Sequence, residues 1–361
     1  MFIKLIFVKI KYNIKMNKKN AFTIQFSWIF VLIVGFFILL FVVSTISKQK
    51  SSSESDIDVE IMKNVDSILT SAEYSPNTFK IINIPETEFI RVCEANYSAY
   101  SINKQIQRME QTVFFMPERI KSKKLYTWAK EYIMPMKITN ILYVTSPQHM
   151  YVFVNNTGDN LIEHIHEDFP KNITNEVISF NDMEIYPNRN YDSYTFIIIN
   201  SIGILNDNIE SKFPSNQKVK KNSNILLVNY EGNSRAKGKI TFYESNNSNN
   251  GWSDSSGEFI DESMLYAAIF AGTASGYKCN VDKLFDKSKN IYSIYNYTME
   301  KTRGNLKKYE CLQLYEKELI PRIGVIIEAL QNNNYTSIYL TSIDLNLYNK
   351  RLLTKSCPLA Y

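Results

Sequence analysis

From Phe26 to Ile46 the chain reads FSWIFVLIVGFFILLFVVSTI, 21 residues without a charge. At 1.5 Å per helical residue this covers about 30 Å, the thickness of a bilayer's hydrocarbon layer. A soluble core helix of that length carries a polar stripe. Here Ser27, Gly35, Ser44 and Thr45 are the only small or polar members. The segment reads as a transmembrane helix, with Trp28 near the depth where indole rings favour the headgroup region.

Lysines give the span its direction. Lys4, Lys9, Lys11, Lys15, Lys18 and Lys19 precede it with no acidic residue among them, whereas Lys48 and Lys50 are followed by the acidic run SSSESDIDVE. Positive flanks stay in the cytoplasm. The expected arrangement is a cytoplasmic N-terminus, a single pass through the cell membrane, and an extracellular body. The net charge is +5, and removing those six lysines leaves the remainder one unit negative. A near-neutral body lacks the basic face of a nucleic-acid binder, so nucleic acid is not an expected partner and the lipid bilayer is.

Two other accounts of the N-terminus compete. A cleaved secretory signal normally has a shorter apolar stretch and a small-residue cleavage site after it. A pilin-like leader has a basic stretch, a short polar cut site and then an apolar helix. Lys18-Lys19-Asn20-Ala21 before Phe22 is similar to that, although Phe26 stands where an acidic residue belongs. Met16 opens a compact basic segment of its own and is a second candidate start.

Beyond the span the expected organisation is a basic leader (1–25), the transmembrane helix (26–46), a stalk helix (47–76), a β-rich module (77–155) and an α/β and helical domain (156–361). The fold class is α/β in the mixed, α+β sense. Ser51–Ser55 reads as a polar break. Ile57, Ile61, Val65 and Ile68 then recur at helical spacing, with Glu54, Asp56 and Asp58 ahead of them. Phe79–Ile84 and Glu88–Cys93 read as strands around a proline turn. Leu125–Tyr132 reads as a helix. Ile138–Val144 and Met150–Val154 read as a hairpin closed by SPQH, with His149 exposed at its tip. Tyr194–Asn200 and Asn224–Tyr230 are continuous apolar runs suited to strands covered on both faces. Lys239–Glu244 is a further strand. The C-terminal third reads as helices: Glu262–Ala271, Val281–Lys301, Leu306–Leu330 and Asp344–Ser356, the last with Ser342 as its N-cap.

Cys93, Cys279, Cys311 and Cys357 all follow the span. An even number on the oxidising side suggests two disulfides. If the helices on either side of Arg303-Gly304-Asn305 form a hairpin, Cys279 and Cys311 lie about 27 Å apart along its axis, too far for a bond. A final helix returning along its predecessor brings Cys357 to Cys311, which leaves Cys93 for Cys279.

Catalytic and metal signatures are weak. His164 and His166, within Glu163–Asp168, face apart on a helix. Gly272-Thr273-Ala274-Ser275-Gly276 is G-x-x-S-G and not the G-x-S-x-G elbow, and it suits a helix end running into Tyr277-Lys278-Cys279 better than a nucleophile. Asp254, Glu258, Asp261 and Glu262 follow an Asn- and Ser-rich loop at 245–257, but their spacing is not that of an EF-hand. Phosphate-loop and dinucleotide glycine motifs are missing. No cofactor or metal is expected. Asn96, Asn155, Asn172, Asn246, Asn296 and Asn334 stand in N-x-S/T sequons, which chance also supplies in so Asn-rich a chain.

Tyr277-Lys278-Cys279-Asn280, Leu306 and Cys311, and Asn349, Leu352 and Ser356-Cys357-Pro358 with terminal Tyr361, resemble an uncharacterised archaeal family. Its members are membrane-anchored outer-side proteins of small-genome, often host-attached archaea. The Lys18–Ile46 leader and span, Phe79–Cys93 and the Gln111–Phe115 run fit the same family. The resemblance implies a cell-surface setting and no activity. The expected role is non-enzymatic contact with a protein partner on the cell surface. A pilin-like subunit and a membrane-anchored hydrolase are the alternatives. The hydrolase would show a deep pocket near His164 or Ser275 with perturbed titratable groups.

Overall fold

The computed structural model describes residues 18–94, 97–103, 105–110, 112–155, 160–200, 209–231, 237–246 and 251–361, with side chains at 18–27, 47–58, 94, 97, 160, 161, 200, 209, 246 and 251 outside the description. The chain divides into two compact units, Met1–Val59 and Glu60–Tyr361. A single helix, α1 (Lys18–Glu73), begins in the first and ends in the second. Its stretch Trp28–Ile46 has a mean hydropathy of 3.1 and no buried residue, so it is long and apolar enough to cross a membrane. The Ser51–Ser55 run, expected to interrupt the chain, stays helical.

The larger unit carries two six-stranded sheets. The first is built from β1 (Phe79–Glu94), β2 (Tyr97–Ile102), β3 (Gln105–Arg108), β4 (Val113–Phe115), β5 (Arg119–Ile133) and β6 (Lys137–Thr145). Its order is β3-β2-β1-β5-β6-β4, antiparallel except where β4 runs parallel to β6. The second takes β7 (His149–Asn155), β8 (Asn175–Ser179), β9 (Ser193–Asn200), β10 (Ser223–Tyr230), β11 (Gly238–Asn246) and β12 (Gly251–Phe259), in the order β12-β11-β10-β9-β7-β8. Here β8, β7, β9 and β10 are parallel, and β10–β12 form an antiparallel meander. The class is mixed α+β.

Several local expectations are overturned. The two strands expected around Pro85 are one strand, β1, with an irregularity between Asn83 and Thr87. Leu125–Tyr132 is strand, inside β5, not helix. The SPQH hairpin does not form: β6 pairs with β5 and β4, while β7 pairs with β8 and β9 in the other sheet. Most of the expected loop 245–257 is β12 and the end of β11.

Among the described residues eight α-helices accompany the sheets. Besides α1 they are α2 (Asn160–Asp168), α3 (Gln217–Lys221), α4 (Glu262–Ala271), α5 (Ala274–Asn305), α6 (Tyr309–Gln313), α7 (Ile320–Gln331) and α8 (Tyr335–Thr354). A wide π-turn at 314–319 joins α6 to α7. It absorbs Pro321, which has no N–H to give and would crowd the preceding turn. The last helix starts earlier than expected. Asn334 is its N-cap, and Ser342 is a buried mid-helix residue.

Alternation along the strands builds three cores. In the second sheet Tyr151, Phe153, Ile197, Ile199, Leu226 and Val228 face the central core. Their neighbours Met150, Val152, Val154, Phe196, Ile198 and Ile225 face a separate one closed by Met183, Tyr186, Phe213 and Val219. In the first sheet Phe115, Trp128, Tyr132, Ile141 and Tyr143 face the central core. Its other face is covered by Met62, Val65, Leu69 and Ala72 of α1. Ile68, expected on that stripe, is 39% exposed. Between the sheets lies α4, hydrophobic all round and buried at every position from Ser263 to Ala271, as such a helix must be. Trp128, Tyr143, Tyr266 and Phe270 pack there in tilted and edge-to-face pairs with ring centroids 5.0 to 6.4 Å apart.

The cysteine pairs are Cys93–Cys279, with Cα atoms 6.1 Å apart, and Cys311–Cys357, at 5.6 Å. The first ties the first sheet to α5. The second ties the C-terminal tail to α6.

Candidate functional site

The parallel strands of the second sheet are wound in two directions. Ile162 and Ile165 of α2 pack on its central face, and Val219 of α3 packs on the other. Strand order therefore reverses between β7 and β9, and sheets of this kind commonly take ligands beyond the carboxyl ends of the strands at that point. The residues that follow those ends, 156–159 and 201–208, lie outside the described residues. The polar cleft that can be described opens at the opposite, amino ends.

This cleft has a volume of about 670 Å³. One wall is Glu88, Glu118, Arg119 and Lys121 of the first sheet and its flank. The other is His149, Ser193, Ser223 and Asn224 at the starts of β7, β9 and β10, with Glu244 of β11. Thr273 contributes to the lining from the α4–α5 junction. A second groove of about 580 Å³, lined by Glu86, Lys123, Lys124, Tyr126 and Gln148, shares Lys121 and Asp192 with it.

The α4–α5 junction is where sequence and geometry meet. Gly272 ends α4 in the left-handed region, φ 68°, and its N–H donates to the Ala268 carbonyl, the conformation that favours glycine at a helix end. Thr273 is extended, and its Oγ1 accepts from the Gly276 N–H at 3.3 Å, opening α5. The Gly272–Gly276 stretch is therefore a junction between two helices. Ser275 is exposed in the first turn, and its hydroxyl lies 3.4 Å from that of Thr273. Among the described residues its hydroxyl meets Thr273 and not a His, so the nucleophile arrangement does not form there. The α5 amides are also engaged. Glu244 Oε1 accepts from the Ala274 N–H at 3.1 Å.

Arg91 holds this junction in place. Its Nη1 donates to the carbonyls of Met116 (2.7 Å) and Ala271 (3.0 Å), and its Nη2 donates to Thr273 Oγ1 (2.7 Å). Burial lowers its pKa to about 10 against the pull of Glu118 and Glu244, so the guanidinium is still charged at neutral pH. No motif in the sequence marks Arg91. It is one cation in an ordinary strand, and only the fold brings it to residues 180 positions away.

His149, expected to be exposed, is 2% exposed. Its Nδ1 lies 2.6 Å from Ser193 Oγ and its Nε2 lies 2.9 Å from Thr195 Oγ1. Burial drives its pKa down to about 3, so the ring is neutral at neutral pH. Ser193 and His149 have the spacing of a nucleophile and base. But the far nitrogen meets a hydroxyl where a triad has a carboxylate, and an imidazole that resists protonation this strongly is a poor general base.

The other candidates fall apart in space. His164 and His166 sit on α2 and diverge: His164 Nδ1 is 3.6 Å from Glu262 Oε1, while His166 Nε2 meets Asn175 Oδ1 at 2.7 Å. Beside Glu262, the Lys130 ammonium pairs with Asp168 and lies 4.6 Å from the Tyr266 ring centroid. A protein cation already occupies the point where these acids converge. Asp254 and Glu258 lie along β12, whereas Asp261 caps α4 by accepting from the Ser263 N–H at 2.7 Å. Burial raises the Asp261 pKa. Among the described residues no group of three or more His, Cys, Asp or Glu could hold a metal ion.

Comparison with known proteins finds no matching family model, no matching curated protein and no matching solved structure.

Proposed function

We infer that this chain is a single-pass, N-terminally anchored cell-surface protein whose extracytoplasmic body acts by binding a protein partner. The observation that carries this is the Trp28–Ile46 stretch, uncharged throughout and without one buried residue, preceded by lysines and followed by a body with two disulfides. A fully exposed apolar helix is stable in lipid and not in water. Disulfides belong to oxidising compartments. The inter-sheet cleft is the natural contact surface. Two of its charged groups, Arg119 and Glu88, pair at 2.8 Å, and its imidazole is held neutral, which suits recognition better than proton transfer.

One observation favours a second reading. A single continuous helix runs from Lys18 to Glu73, apolar in its first half and packed on a sheet at its end. This is also how a pilin-like subunit is built, and that reading requires cleavage before Phe22.

The test uses protein in native membranes. Protease added to intact cells should digest the body and leave a short membrane-held fragment. Non-reducing peptide maps should recover Cys93 with Cys279 and Cys311 with Cys357. Protection of the body together with free thiols defeats the outer-side assignment. A mature N-terminus at Phe22 puts the filament subunit first.

A further inference from the structure

The six sequons are not equivalent once the chain is folded. We propose that Asn172 and Asn334 carry N-linked glycans and that Asn155 and Asn296 do not. This rests on the outer-side location of the body.

An acceptor asparagine must leave room in solvent for a bulky saccharide. Asn172 is exposed in the short turn 171–173 between α2 and β8. Within its sequon Ile173 is buried and its N–H donates to the Pro170 carbonyl, while the Thr174 hydroxyl donates to the Pro147 carbonyl at 3.3 Å, and the Asn172 side chain itself stays in solvent. Asn334 is exposed at the start of α8, and its Oδ1 accepts from the Ser337 N–H at 3.0 Å. In the transfer the Asn Nδ2 attacks the anomeric carbon of a lipid-linked oligosaccharide phosphate. The N–C bond forms, the C–O bond to phosphate breaks, and the lipid phosphate leaves as the amide gives up one proton. Oδ1 keeps its place throughout, so the glycan and the helix cap coexist at Asn334. Thr336, the third residue of that sequon, is exposed and accepts from Lys237 Nζ at 2.8 Å.

The excluded pair differs in kind. Asn296 lies within the 32-residue α5, half-buried, with its Oδ1 enclosed by the fold. Asn155 is half-buried at the end of β7, in register with Ser179 of β8. A saccharide at either position must displace packed neighbours before the body can close. Asn96, and the side chain of Asn246, lie outside the described residues.

The experiment expresses the full chain in a secretory host that has an oligosaccharyltransferase. The sites are mapped after enzymatic deglycosylation in heavy-oxygen water, which marks each released Asn as a labelled Asp. The expected result is label at Asn172 and Asn334, none at Asn155 and Asn296, and loss of one glycan mass in each of N172Q and N334Q. N172Q changes an exposed turn residue, so its folding is not at issue. A body that is disulfide-linked and protease-accessible but unlabelled at both sites overturns the proposal and leaves the topology standing. Label at Asn155 or Asn296 overturns the burial argument. Free thiols with a protected body overturn the topology, and the glycans with it.

Discussion

Glu73 and Arg91 are both drawn into the fold of the body, and they are held differently. Glu73, at the end of α1, is closed in. Its carboxylate accepts from Thr112 Oγ1 (2.7 Å), Thr139 Oγ1 (3.3 Å) and Lys287 Nζ (3.0 Å), and its backbone carbonyl accepts from Asn140 Nδ2. Beside it Lys283 donates to Ser98 Oγ and to the carbonyls of Met109 and Thr112. Arg91 is equally well partnered, but one of its partners, Thr273, lines the cleft. The first cluster has only a structural task, fastening α1 to the first sheet and α5. The second borders a cleft open to solvent. Full hydrogen bonding alone does not separate the two roles. Access does.

The sharpest way to break this contrast is to remove the closed side. Deleting residues 1–59 should leave a folded body, because the compact unit begins at Glu60. Deleting 1–75 also removes Met62, Val65, Leu69, Ala72 and Glu73. Exposing the face of the first sheet beneath four apolar side chains costs about 5–10 kcal/mol, which is comparable to the whole stability of a domain. The expected outcome is a cooperative thermal transition for the shorter deletion and none for the longer. Two similar transitions would mean that α1 is not part of the body's core.

The open side is tested by acid through His149. Its folded pKa is depressed to about 3, against about 6.5 for the unfolded chain. The unfolded state therefore binds a proton that the folded state refuses. Stability is fully present above pH 6.5 and falls as the pH drops from there toward 3. The loss approaches about 4 kcal/mol at pH 3, since one unit of pKa corresponds to about 1.4 kcal/mol. His149→Gln, which keeps hydrogen-bonding capacity toward Ser193 and Thr195, should flatten this part of the curve. Denaturant unfolding at pH 7, 5.5 and 4 measures it. Parallel losses in the two proteins would mean that carboxylates, not His149, set the acid limb.

What was legible beforehand follows the same division between local pattern and distant contact. The apolar runs of β9 and β10, the all-apolar α4 and the helix-axis argument about Cys279, Cys311 and Cys357 depend on nearby residues and on length. β5 misleads because it lies between β1 and β6 and is covered on both faces, so Leu125, Trp128, Ala129 and Tyr132 are all buried and mimic a helical stripe. The SPQH turn misleads because both edges of β6 are already paired. β7 must then start a new sheet, and that carries His149 from an expected hairpin tip into the interior. Arg91 was not legible at all, since its three acceptors lie 25, 180 and 182 residues along the chain.

The smallest expected effect separates Arg91 from Glu73 most directly. Arg91→Met leaves the Met116 and Ala271 carbonyls without this donor, while Thr273 Oγ1 keeps the Gly276 N–H. Because the cleft adjoins them, water can replace part of what is lost, and the cost should be about 2 kcal/mol. Gly276→Ala reaches the same group from the other side, because a Cβ at that position would overlap the Arg91 guanidinium. The guanidinium is the far end of a flexible side chain, so it can swing away, but only by giving up its hold on Thr273 and Ala271. Each substitution alone should lower stability modestly. The double variant should cost clearly less than their sum, since both break one set of contacts. Strict additivity would show that Arg91 and the α5 start are independent, and the junction beside the cleft would then have no keystone.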